Sequence, residues 1–129
     1  MVTSMKESTV KILDDKDMEF VETLRSLGVP RSVATLITFL ANVDEASSRE
    51  IEMGSDLRQP EVSIAMRTLR DNHWIDEREI KREGKGRPMK VYSLRANIDE
   101  IIKYFEEQKL HESAQAMESI QRLKQLIST

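Results

Sequence analysis

Gln59, Ser63 and Arg67 are the side chains in this sequence with the clearest chemical use. They share a stretch with Val62, Met66 and Leu69, whose spacing of four and three marks the buried side of a helix. Gln59, Pro60, Ser63, Ile64 and Arg67 then fall on another face. Those residue types do not form a nucleophile and its base. They are hydrogen-bonding groups suited to the flat edges of nucleic-acid bases. Gln59 matches adenine, and Arg67 matches guanine O6 and N7. Ser63 reaches a base or a phosphate, and Ile64 offers contact to a thymine methyl. Glu61 could accept from cytosine N4, or serve the dipole at the helix start. The bland alternative for such a face is a solvated helix surface.

The next segment bears on that choice. It holds Lys81, Arg82, Lys85, Arg87 and Lys90, opposed by Glu79 and Glu83. Gly84 and Gly86 let a hairpin tip bend tightly, and Pro88 stiffens its exit. An arginine between Gly86 and Pro88 is placed to enter a narrow minor groove. Arg58 and Arg70 suit phosphates or the plain surface better than bases. An ordinary hairpin whose charges guard an edge strand is the alternative.

Positioning these residues requires a small set of elements. A first helix is predicted from about Asp15 to Leu27, stopped by Gly28. Pro30 suits the first turn of a second helix through about Asn42, with Val33, Leu36, Ile37 and Leu40 as its buried stripe. Ser47 can cap a third helix, with Glu50 completing a capping box, Ile51 pointing inward and Gly54 ending it. The fourth runs from about Gln59 to Asn72. A strand from Trp74 to Arg82, anchored by Trp74 or Ile75 and by Ile80, leads through a Gly-rich turn to a return strand from Met89 to Leu94. A last helix, capped by Asn97, continues toward Ile127.

Composition narrows the function classes. The 129 residues suit one small domain and no large catalytic cleft. Charged residues make up 33% and no apolar run approaches bilayer length, so a globular, non-membrane, cytoplasmic chain is expected. Cysteine is absent, which excludes disulfides and thiolate metal sites. His73 and His111 lie in separate elements, and no phosphate-cradling glycine loop precedes a helix. The expectation is therefore no enzyme, no metal and no cofactor. Net charge is −3, yet residues 58–95 hold ten Lys/Arg against six Asp/Glu. A basic segment in an acidic chain is the electrostatic mark of a polyanion partner.

The order of three helices and a two-stranded hairpin resembles a winged helix-turn-helix. The sequence resembles the small archaeal and bacterial transcriptional regulators of the MarR, ArsR and TrmB type over about Pro30 to Leu94. The resemblance is carried by Arg49-Glu50-Ile51, Leu57-Arg58-Gln59-Pro60-Glu61-Val62-Ser63, Leu69-Arg70-Asp71-Asn72-His73-Trp74-Ile75, Gly86-Arg87-Pro88 and Tyr92-Ser93-Leu94. It implies a mainly α fold with a small antiparallel β-wing. It also implies a recognition helix, about 59–72, in the major groove of double-stranded DNA, with a wing, about 82–90, in the minor groove or on phosphates. Arg58 stands where the family often has Ser or Thr. His73 stands where it favours glycine, so Asn72 is expected to take the left-handed conformation.

The chain then divides into a polar tail (1–13), a DNA-binding domain (14–95) and a long C-terminal helix (96–129). Ile98, Ile101, Ile102 and Phe105 make an apolar stripe, and Leu110, Met117, Ile120, Leu123 and Ile127 continue it. A helix this long cannot bury both halves against so small a domain, so a homodimer is expected. A twofold pair would read a pseudo-palindromic site with recognition helices about 34 Å apart. The alternative is a winged-helix protein-interaction module in a larger assembly. No residue points to an effector.

Overall fold

A computed structural model describes residues 12–81, 86 and 88–129. The chain separates into two compact units, Met1–Asn97 and Ile98–Thr129. The first contains α1 (Asp15–Ser26), α2 (Arg31–Ala41), β1 (Ala46–Ser47), α3 (Ser48–Ser55), α4 (Gln59–Asp71), β2 (Ile75–Ile80) and β3 (Met89–Leu94). The second is one helix, α5 (Ile98–Ser128). The molecule is mostly helical with a small three-stranded antiparallel sheet, an order compatible with a winged helix.

The first unit is organised around α2, which packs against α1, α3, α4 and β3. Every residue from Val33 to Leu40 is buried, so this helix has no solvent face along that run. Thr35 and Thr38 are accommodated because their hydroxyls donate to the carbonyls of Arg31 and Ala34, at 2.7 and 2.8 Å. Pro30 is the residue before this helix, not part of its first turn: its ψ of 147° is extended.

Local chemistry sets the other boundaries. α1 begins with a reciprocal capping box between Asp14 and Asp17. It ends at Ser26, with Gly28 left-handed at φ 94°. The Gly28 N–H donates to Arg25 and the Val29 N–H to Leu24, which closes the helix end. α3 starts with the expected box, Ser47 and Glu50 bonding each other's backbone. It does not stop at Gly54, which is buried inside it. Asp56 takes the left-handed turn at φ 62°. The hydroxyl of buried Ser55 donates to the Ile51 carbonyl and accepts from the Leu57 N–H, which fixes the turn into α4.

The end of α4 corrects one expectation. Asn72 is not left-handed (φ −92°); its side-chain amide donates to the Thr68 carbonyl, a bond that suits a helical backbone. His73 takes the left-handed position instead, at φ 60°. Its N–H donates to Arg70 and that of Trp74 to Leu69, the same closure that Gly28 makes.

The sheet order is β1-β3-β2, with β3 in the middle. β2 is shorter than the predicted Trp74–Arg82, while β3 matches its predicted span. β1, two residues long, carries no period to read and was not expected. It pairs Ala46 with Tyr92 and Ser47 with Val91. Val91 and Tyr92 are consequently both buried, where alternation would have left one exposed. The Arg95 N–H donates to the Trp74 carbonyl at 2.7 Å and closes the base of the hairpin.

No helix among the described residues is long and apolar enough to cross a membrane. Among them no group of three or more His, Asp or Glu side chains could hold a metal ion.

Candidate nucleic-acid interface

Two tight turns hold α4 with one face outward. Val62, Ala65, Met66 and Leu69 are buried, and Gln59, Pro60, Ser63, Ile64, Arg67 and Arg70 are exposed. Gln59, Ser63, Arg67 and Arg70, but not Pro60 or Ile64, line a shallow groove of about 260 Å³ together with Ser48, Val62, Met66 and Tyr92. The first turn of α3, the outer side of α4 and the middle strand thus meet along one surface.

Each candidate has a distinct state there. The Gln59 amide donates to the Ser63 hydroxyl at 3.2 Å, a one-turn link that orients both. Ile64 is 62% exposed, an apolar side chain held out in water. Arg67 has neither a hydrogen bond nor an ion pair among the described residues. Glu61 is committed: it accepts the Arg58 N–H at 2.9 Å and lies 3.7 Å from Arg31. It therefore supplies its own half of a capping box, while the other half, a side-chain acceptor at Arg58 for the Glu61 N–H, is missing because a guanidinium cannot accept.

The cations next to α4 are not all free. Glu77 on β2 accepts from Arg70 at 3.3 Å and from Lys90 at 3.2 Å, through different oxygens. One carboxylate thereby joins α4, β2 and β3. Partial burial raises the Glu77 pKa, but the bonds and charges of Lys90 and then Arg70 outweigh it and hold the group below its ordinary value. Lys90 is correspondingly raised, first by its bond to Glu77. Arg78 pairs with Glu45 through both carboxylate oxygens, and its pKa is raised by that bond. Sequence reasoning missed Glu77 as the organiser of this corner. Its position across from Tyr92 depends on the β2–β3 register, which no local pattern displays.

A solved structure of a possible transcriptional regulator from Methanosarcina mazei Go1 shares the fold, with a TM-score of 0.54 and 14% identity over 86% of this chain and 98% of that one. No protein-family model matches the sequence, and no curated protein matches it.

Of the hairpin candidates, Lys81 is exposed and follows β2 directly. Gly86 is left-handed at φ 110°, a value that favours glycine. Arg82, Lys85 and Arg87 lie outside the described residues, as do Glu83 and Gly84. On α5, Ile98 and Phe105 are half-buried and Ile101 is buried. Ile102, Leu110, Met117, Ile120, Leu123 and Ile127 are exposed.

Proposed function

We propose that this chain is a homodimeric transcriptional regulator that binds double-stranded DNA in a sequence-specific manner through α4. The observation that carries the reading is the outward row Gln59–Ser63–Arg67, in which a linked amide and hydroxyl precede a guanidinium with no ion pair among the described residues. In the major groove Arg67 pairs with guanine, Gln59 with adenine, and Ile64 meets a thymine methyl. Ser63 reaches a base or a phosphate. Arg58, Arg70, Lys81 and Lys90 serve phosphates, and the wing around Gly86 enters the minor groove or follows the backbone. The similarity in fold to a possible transcriptional regulator supports this class of function. The reading assigns no reaction to the site.

A second reading has one observation in its favour. Arg70, Arg78 and Lys90 are already paired with acids, as the charged surface of a protein-interaction module would be. Binding of the full chain to genomic duplex fragments, including its own promoter, across a salt series separates the two. Selective retention of particular fragments at moderate salt is expected. Equal, weak binding to every fragment would leave the interaction module standing.

A further inference from the structure

The distal part of α5 has an order that dimerisation alone does not require. Leu110, Ser113, Met117, Ile120, Lys124 and Ile127 follow one another at intervals of three, four, three, four and three. That is the spacing of a two-helix seam. Its apolar members are all exposed in the single chain, Leu110 at 64%, Met117 at 60% and Ile127 at 83%. The seam also reads alike in both directions about a point between Glu118 and Ser119. Leu110 is matched by Ile127, Met117 by Ile120, and Ser113 by Lys124. Ala114 is matched by Leu123 along the edge.

We propose that α5 pairs with α5 of a second copy in antiparallel orientation, centred between Glu118 and Ser119; this rests on the homodimer reading above. The deciding residue is Lys124. In a parallel, in-register pair the two Lys124 ammonium groups would face each other inside an apolar seam, where like charges repel and desolvation is costly. In the antiparallel pair each Lys124 lies beside Ser113 of the other copy, one residue from its Glu112. Net charge points the same way. Asp99, Glu100, Glu106, Glu107 and Glu112 outnumber Lys103 and Lys109 in the first half of α5, with Lys109 3.2 Å from Glu112, whereas the chain after Glu118 carries Arg122 and Lys124 and no acid. Antiparallel pairing brings each basic end toward the acidic stretch of its partner and sets the two helix dipoles in opposition. Leu126 falls off the seam and takes no part. The overlap from Leu110 to Ile127 is about 26 Å long at 1.5 Å per residue.

The absence of cysteine makes the orientation directly testable. Two full-length variants, Leu110→Cys and Leu110→Cys/Ile127→Cys, are oxidised mildly and run on non-reducing gels, with circular dichroism confirming their helix content. Antiparallel pairing places position 110 opposite position 127 of the other copy and about 25 Å from its own counterpart, far beyond disulfide reach. The double variant is expected to cross-link as a dimer and the single variant to stay uncross-linked. A cross-linked Leu110→Cys dimer would overturn the orientation. No cross-link in either variant, with a dimer seen by light scattering, would overturn the surface while leaving the homodimer intact. A monomer by light scattering would overturn the homodimer reading with it.

Discussion

Glu77 restrains the charge of the α4 corner, and removing that restraint is the most direct probe of whether the corner meets DNA. Glu77→Gln keeps the shape and deletes the charge that Arg70 and Lys90 share at 3.3 and 3.2 Å. If both cations face phosphate, the variant frees up to two of them for new contacts. Each phosphate contact steepens the dependence of log affinity on log salt by about 0.9. Two contacts add about 1.8, so the variant's advantage over the parent should be about 12-fold larger at about 50 mM salt than at about 200 mM. The structural cost is small, because these are half-exposed ion pairs worth roughly 0–1 kcal/mol each. Fluorescence anisotropy with one labelled duplex across that salt range measures the slope. An unchanged slope in a folded variant would show that Arg70 and Lys90 do not approach phosphate, and would remove this corner from the interface. A shallower slope would mean that Glu77 holds the two cations in place for binding.

Arg67→Ala should cost about 1–3 kcal/mol on the preferred site and relax its sequence preference, whereas Lys81→Ala should weaken all duplexes alike and lower the salt slope by about 0.9; parallel titrations on specific and scrambled duplexes distinguish them. Ser47→Ala removes one half of the α3 capping box and should destabilise the fold by about 0.5–2 kcal/mol in urea unfolding. His73→Gly should stabilise by about 1 kcal/mol, seen as a higher Tm, because a non-glycine residue sits at φ 60°. Glu77 has a folded pKa below its ordinary 4.5, so its contribution is full above that value and is lost as pH falls through the folded pKa. The stability gap between parent and Glu77→Gln, followed by urea unfolding, should therefore narrow as the solution is acidified below pH 4.5.

The helices were legible in the sequence where one residue could only do one thing. Ser47 with Glu50 bonds reciprocally, and Gly28 takes the left-handed turn. The outward face of α4 was legible because Val62, Met66 and Leu69 had to point the other way. Legibility failed where two neighbours competed for a role. Gly54 and Asp56 both suit a left-handed turn, and Asp56 takes it because Gly54 is packed inside α3. Asn72 is the better left-handed residue in isolation, but its amide finds the Thr68 carbonyl and leaves the turn to His73. The exposure of the candidate side chains on α4 was readable from the sequence, and their electrostatic arrangement was not. Which cations are already neutralised depends on tertiary pairs such as Arg78–Glu45, 33 residues apart.

That pairing bears on the proposal that an acidic chain of net charge −3 holds a polyanion. Counting residues 58–95 gives ten cations, but Arg70, Arg78 and Lys90 are bonded to acids, while Arg58, Arg67 and Lys81 have no ion pair among the described residues. Each pre-paired cation must break a bond before it meets a phosphate, so the sequence-independent attraction is weaker than the raw count suggests. Weak non-specific attraction leaves a larger share of the affinity to hydrogen bonds with base edges. In the proposed homodimer, two weak faces on one tether would bind a two-part site far more tightly than either alone, without any new contact. A monomeric form of this chain should accordingly lose most of its affinity for a two-part site and keep its preference within a single half-site.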